Sequence, residues 1–316
     1  MTDILCVGEM VIDFLPGSEE GTYLRKAGGA PANVAIAAAR AGLNTAMCCA
    51  VGEDDFGRFL QATLRKNGVR CTKEDRITQA TTTMSFVSLD ENNDRSFTFA
   101  RKPGADMFLT VEDVRKAGPD DCVVLHAGSC SLSKGTEAAA TVYAMETASE
   151  AKKIVSFDMN YRNLLWDDDS SAAIAEVKKI LPYVDLLKVS EEEAEMLGGI
   201  EETVSSATKA GVSAVVITFG GRGASCFWSG KEFFSPAIRT EVVDTTGAGD
   251  AFWGNFLAQL IMDGIRSKQD LTEEILQKAM ERGNIAGSLC VRKKGAIEAL
   301  PDRTEVEEVW RARNEK

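Results

Sequence analysis

The segment Asp244-Thr245-Thr246-Gly247-Ala248-Gly249-Asp250 runs directly into Ala251-Phe252-Trp253-Gly254-Asn255-Phe256, and this junction holds the residues best suited to chemistry. Its glycines leave the backbone free for close approach to a ligand. Ala251, Phe252, Phe256, Leu257, Leu260 and Ile261 wrap most of a helical circumference, and a helix apolar nearly all round is buried. The N-terminus of that helix then opens from the interior, carrying unpaired N–H groups and the positive dipole end. It suits an anion, phosphate above all. Two roles are open to Asp250 in the first turn. It is either a cap that offsets the dipole, or a base that accepts the proton of a hydroxyl attacking a phosphoryl group. In the second role the amides of Gly247, Ala248, Gly249 and Asp250 carry the developing charge.

A second glycine-rich segment, Ala27-Gly28-Gly29-Ala30-Pro31-Ala32-Asn33, also precedes a helical pattern. The backbone at Gly29 and Ala30 can approach a ligand. The amide of Asn33 both donates and accepts, which suits a polyhydroxylated molecule; a left-handed turn capped by Asn33 is the plainer reading. Rival motifs fail on inspection. A G-x-G-x-x-G fingerprint needs glycine where Phe252 stands, no G-x-x-x-x-G-K-[ST] occurs, and the H-R-D and D-F-G set is incomplete, since Asp55-Phe56-Gly57 stands without any H-R-D. Dinucleotide-binding, P-loop and protein-kinase readings therefore fall. His126, the sole histidine, follows Val123-Val124-Leu125 with nothing to pair it to a nucleophile. It reads as a hydrogen-bonded residue at a strand end, lining a pocket.

The frame around these segments is an alternation. Apolar runs at 4–7, 46–51, 122–126, 154–158, 186–189 and 215–218 predict strands. Patterns at 33–41, 56–67, 134–151, 171–181, 190–197 and 201–210 predict helices, as do 250–262, 271–289 and 304–313 in the last third. Strand then helix, repeated, predicts right-handed βαβ units and a mostly parallel sheet covered on both faces. Residues 11–25 and 82–101 break the rhythm and read as strands without a helix between them. In the second, Asp90-Glu91-Asn92-Asn93-Asp94 forms the turn of a hairpin. Together they form either a small accessory sheet or an antiparallel edge of the main one. With no linker, repeat or low-complexity tract, residues 1–316 are expected to form one domain with a small lid. The lid's exposed strand edge needs covering, and a symmetric homodimer through it is the expected cover.

Composition removes other classes. The 316 residues carry a formal charge of −12, and no basic block is present, so nucleic acid is a poor partner. No apolar stretch reaches 18 residues, so no membrane span is expected. The N-terminus reads as a first strand. Eight cysteines without a C-x-x-C pair predict buried thiols in a reducing, cytoplasmic setting.

The pairing of Gly28-Gly29-Ala30-Pro31-Ala32-Asn33 with Asp244-Thr245-Thr246-Gly247-Ala248-Gly249-Asp250 resembles the ribokinase, or PfkB, family of sugar kinases, nearly end to end from Gly8-Glu9 to Pro301. Within it the chain looks most like the fructokinases. The segments that carry this are Gly8-Glu9-Met10-Val11-Ile12-Asp13-Phe14, Phe99-Ala100-Arg101-Lys102-Pro103-Gly104-Ala105-Asp106-Met107, His126-Ala127-Gly128-Ser129 and Asp158-Met159-Asn160-Tyr161-Arg162. The resemblance implies a ribokinase-like three-layer α/β/α sandwich with a mostly parallel central sheet and a small β-sheet lid. It also implies ATP as donor, Mg²⁺ as cofactor and a hexose acceptor, D-fructose first. A kinase for 2-keto-3-deoxygluconate or another sugar is the nearest alternative, and a catalytically silent sugar- or nucleotide-binding regulator a further one.

Residue by residue, the resemblance places Asp250 as base and Gly247, Ala248 and Gly249 as anion hole. Asp13, Gly29, Ala30 and Asn33 match sugar-contacting positions, with Arg101 in the lid hairpin as a further sugar or phosphate contact. Asn160 and Arg162 match positions near the transferred phosphate, where a guanidinium pairs well. Thr218, Gly220 and Gly223 match the nucleotide loop, and Asn284 an adenine-side position. Glu193 matches a residue that holds Mg²⁺ through water, with Ser190 replacing the family's Asn; Ser190 and Glu193 also fit a capping box. Asp244 and Thr246 match a monovalent-cation site for K⁺, and Ala299 stands where some cation-activated members have Ser.

Overall fold

The computed structural model describes residues 1–19, 21–89 and 95–314. β1 (Thr2–Val7), β2 (Val11–Pro16) and β3 (Tyr23–Gly28) lead into α1 (Ala30–Arg40). β4 (Thr45–Cys48), α2 (Asp55–Lys66) and the two-residue β5 (Arg70–Cys71) come next, then β6 (Met84–Leu89) and β7 (Arg95–Ala100). α3 (Val111–Ala117), β8 (Cys122–Gly128), α4 (Thr136–Glu150), β9 (Ile154–Asp158) and α5 (Ser170–Ile180) restore the alternation. β10 (Leu186–Ser190), α6 (Glu191–Met196), α7 (Ile200–Ala210) and β11 (Ala214–Thr218) continue it. The chain closes with β12 (Gly223–Trp228), β13 (Lys231–Pro236), α8 (Ala248–Met262), α9 (Glu273–Cys290) and α10 (Arg303–Asn314).

Nine strands form the main sheet in the order β13-β12-β11-β10-β9-β8-β1-β4-β5. All neighbours are parallel except β11–β12 and β12–β13. The alternation of side chains along each strand builds two cores. Ile4 and Cys6 of β1 pack with α1, α8 and α9. Leu5 and Val7 face the other way, against residues of α3, α4, α5 and α7. This is the expected three-layer sandwich. The helix apolar all round is α8, buried from Ala251 to Ile261. It crosses α1 closely enough that a Cβ on Gly254 would lie 2.5 Å from the Ala37 Cβ. Among the described residues no helix is long and apolar enough to cross a membrane, and all eight cysteines are buried and unpaired.

The two irregular segments form a separate four-stranded sheet, β3-β2-β6-β7, and not an edge of the main one. Phe14 and Phe86 stack on each other at 4.9 Å, and Phe14 meets Phe56 of α2 edge-on at 5.7 Å, so one face of this lid rests on α2. The expected turn at 90–94 lies outside the described residues.

Some boundaries differ from the sequence expectation. The first helix starts at Ala30 and not at Asn33, because Pro31 in the first turn gives up no intrahelical bond. β4 ends at Cys48, so residues 49–51 are buried without being strand. The short α3 and β5 were not anticipated as elements; seven and two residues are too few to show a period.

Candidate active site

The glycine-rich loops meet. Gly29 sits at φ 109°, with α1 starting at the next residue. A Cβ there would lie 2.5 Å from the carbonyl oxygen of Glu9, so only glycine lets the loop pass. Gly28 has a similar need, since a Cβ would fall 2.0 Å from Oδ2 of Asp13. One turn into α1, Asn33 donates from Nδ2 to Oδ2 of Asp250 at 2.7 Å, while its Oδ1 is buried without a partner. The Ala30 amide donates to Oε1 of Glu9 at 3.2 Å.

At the other loop, Gly247 precedes α8 at φ 78° and packs on Ala296, whose Cβ would be 2.9 Å from any side chain placed there. The first intrahelical bond runs from the Ala251 amide to the Gly247 carbonyl at 2.8 Å. The amides of Gly249 and Asp250 therefore stand ahead of the helical ladder. The expected three-amide cradle is corrected in one respect: the Ala248 N–H already donates to the Thr245 carbonyl at 3.2 Å. The Asp244 carboxylate ties this loop down. It accepts from the Thr246 amide and hydroxyl at 2.9 and 2.7 Å and from the Gly295 amide at 2.9 Å.

A cation that sequence reasoning left without a role stands beside the cradle. Lys188, in the middle of β10, pairs with Asp158 at the end of β9 (2.7 Å, side chains 7% and 2% exposed). Its Nζ lies 3.4 Å from where a Cβ of Gly249 would be. The signal was present: a lysine between Leu187 and Val189 in a central strand is a buried charge that requires a partner. Asp158, closing the apolar run of β9, is that partner, and its Oδ1 remains without a hydrogen bond.

The charges set the protonation of the acids. Burial pushes Asp250 up to about 6, with the Asp158 charge adding to the rise; the Asn33 hydrogen bond and the Lys188 and Arg162 cations oppose it. Burial likewise raises Asp13 to about 6, against the Ser85 hydroxyl and Arg162, with Asp250 pushing it further. Asp13, packed against Gly28, and Asp250, held by Asn33, thus flank one loop and both feel the Arg162 charge; the backbone carrying Arg162 also carries Asn160 in a left-handed conformation (φ 33°). Glu193 fastens that segment. Its Oε1 accepts from the Tyr161 amide at 2.7 Å, while Oε2 closes the capping box with Ser190, also at 2.7 Å. His126 is buried, shares a 3.0 Å hydrogen bond with Ser156, and is held neutral by burial, which lowers its pKa to about 4.

Arg101 is not in the cleft. Its Nε pairs with Asp106 at 2.6 Å, Nη1 donates to Ser133 at 2.8 Å and Nη2 pairs with Glu137 at 3.1 Å, in a residue 7% exposed. It braces the base of the lid, and the expected sugar or phosphate contact is corrected accordingly. On the far side of the cradle a cavity of about 570 Å³ is lined by Thr218, Gly220, Gly223, Phe252 and Asn284, and reaches Gly249. The amide nitrogen of Asn284 is committed to Ser235, donating to its carbonyl and hydroxyl, both at 2.9 Å. The arrangement is a cleft with a carboxylate at its centre, a phosphate-sized cradle with a buried ammonium beside it, and a larger pocket behind.

The model of the pfkB family carbohydrate kinases matches residues 1–303. Fructokinase-1 of Zea mays is 37% identical over 315 residues, covering 96% of each chain. Two solved structures superpose closely. Fructokinase with bound ATP from Xylella fastidiosa has a TM-score of 0.90 and 30% identity, covering 98% of each chain. Fructokinase from Vibrio cholerae O395, in its fructose-, ADP- and calcium-bound form, has a TM-score of 0.88 and 32% identity, covering 97% of this chain and 98% of that one. With a cradle, a central carboxylate and a lid on this fold, the chain belongs to the pfkB family of carbohydrate kinases.

Proposed function

We propose that the protein is a fructokinase that transfers the γ-phosphoryl group of ATP to a hydroxyl of D-fructose. The observation that carries this is the 2.7 Å hydrogen bond from Asn33 to Asp250, which joins the sugar-side loop to the first turn of the anion-binding helix. The relatives described above are fructokinases, one solved with ATP and one with fructose and ADP. The whole chain acts as one kinase domain with its lid.

The sugar lies between the lid and the carboxyl ends of the strands, where open α/β sheets take ligands. Asp13 and the orphaned Oδ1 of Asn33 hold its hydroxyls. The attacking hydroxyl gives its proton to Asp250 as its oxygen bonds to the γ-phosphorus and the bond to ADP breaks. A carboxyl raised to about 6 is mostly ionised at neutral pH, and more basic than an ordinary one. The amides of Gly247, Gly249 and Asp250, the Lys188 ammonium and the Arg162 guanidinium stabilise charge on the transferring group. Asn160, Thr218, Gly220, Gly223 and Asn284 border the nucleotide.

The residues present fit a divalent ion, Mg²⁺ in this reading. Among the described residues no group of three or more His, Cys, Asp or Glu is placed to hold a metal directly. Asp158 Oδ1 is free to accept, and Glu193 lies close enough to feel its charge; both suit an ion that keeps its waters. When bound, the ion neutralises phosphate charge. Asp244 and Thr246 are the residues that would hold K⁺ beside the cradle. Eight buried, unpaired thiols support a cytoplasmic setting. Tyr23 and Leu24, 48% and 54% exposed on the lid, support a homodimer formed through it.

A neutral sugar suits the site better than a sugar acid. A carboxylated substrate needs a further cation, and Arg101 is committed to Asp106 and Glu137. ADP release measured with ATP and a panel of sugars tests the reading. Fructose is expected to lead. A preference for 2-keto-3-deoxygluconate would overturn the substrate, and no turnover with any sugar would leave a silent binding protein.

A further inference from the structure

β2 and β6 run parallel through the centre of the lid, with Asp13 opposite Ser85 and Phe14 opposite Phe86. Directly paired residues leave the same face of a sheet. The two phenylalanines face α2, where they stack on each other. Asp13 and Ser85 therefore both leave the opposite face, and there Asp13 shares the cleft with Arg162 and Asp250. Ser85 is 1% exposed; its hydroxyl lies beside the Asp13 carboxylate, whose ionised form it favours, and closes no well-formed hydrogen bond. Thr83, just ahead of β6, by contrast donates its hydroxyl to Asp106.

A buried hydroxyl without a partner costs stability, and native proteins keep such a group where something else completes it. A further orphaned oxygen stands beside Asp250, Oδ1 of Asn33, whose amide nitrogen holds that carboxylate. The lid side of the cleft thus pairs a carboxylate that can only accept with a hydroxyl that can also donate.

We propose that the Ser85 hydroxyl is a further sugar contact, carried by the lid, that hydrogen-bonds one hydroxyl of the bound sugar beside Asp13 and sets its orientation. The inference rests on the fructokinase reading. The contact makes sugar affinity depend on the lid, because Ser85 belongs to it and not to the main sheet.

The test is Ser85→Ala, with binding of D-fructose and its 1-, 3-, 4- and 6-deoxy analogues measured by calorimetry in both proteins. Fructose affinity should fall roughly three- to tenfold, the worth of one hydrogen bond between uncharged groups. The penalty should vanish for the one analogue lacking the partner hydroxyl. The unliganded variant should melt close to the wild type, since the lost hydroxyl closes no well-formed hydrogen bond. An equal penalty for every analogue would mean that Ser85 acts only through Asp13 or the lid, and overturns the contact; so does no penalty at all. Failure of the wild-type protein to bind fructose would overturn the fructokinase reading first, and the contact with it.

Discussion

Lys188 separates folding from chemistry, because its ammonium serves both. The pair with Asp158 is 2.7 Å long and nearly sealed from solvent. In Lys188→Met the apolar stem is largely kept, so β10 still packs, but the Asp158 carboxylate is left buried without its counter-ion. Breaking a buried pair from one side costs about 3–5 kcal/mol. With an unfolding entropy of about 2.1 cal/mol/K per residue over 316 residues, that lowers the melting temperature by roughly 5–8 °C. The double variant Asp158→Asn/Lys188→Met removes both charges and should regain most of the loss. Turnover should not follow. Without the ammonium beside Gly249, both variants lose about 10²–10³ in kcat, the usual effect of deleting one preorganised group facing the transferring charge. Thermal melts and a coupled ADP assay on the wild type and the two variants read both quantities. A double variant restored in kcat as well as in stability would refute a role for Lys188 at the phosphoryl group. A single variant as stable as wild type would refute the buried pair.

Asn33→Leu removes a hydrogen bond that favours the ionised form of Asp250, and a bond to a charged group is worth about 1.5–3 kcal/mol, or roughly one to two pH units. The acid limb of kcat, expected near pH 6 because the base is protonated below its raised pKa, should move towards neutral; a limb that stays put would count against Asp250 as the titrating group. Gly254→Ala places a methyl 2.5 Å from the Ala37 Cβ and 2.9 Å from the Val34 carbonyl oxygen, and should destabilise the protein by about 1–3 kcal/mol in urea unfolding.

How far the sequence reached depends on the range of the interactions involved. The runs at β1, β8, β9, β10 and β11 were legible because parallel central strands are apolar on both faces. The all-round apolar pattern of α8 foretold its burial, and with it the exit of the cradle from the interior. The lid was legible as strands, but its separation from the main sheet depends on pairing between β2 and β6, about 70 residues apart and beyond any local pattern. The same limit hid the partners of the charged residues. Arg101 looked available because nothing nearby in the chain except Asp106 could pair with it, whereas Glu137 and Ser133 come from over 30 residues away. Lys188 was passed over for the opposite reason. Its neighbours suggested a capping motif, and the Asp158 that explains it lies on the adjacent strand.

The most direct measurement is turnover of Asp250→Ala against fructose affinity in the same protein. A loss of about 10²–10⁴ in kcat, with calorimetric binding of fructose largely retained, is expected if this carboxylate takes the proton of the attacking hydroxyl. Near-normal kcat in that variant would contradict the account, whatever the fold.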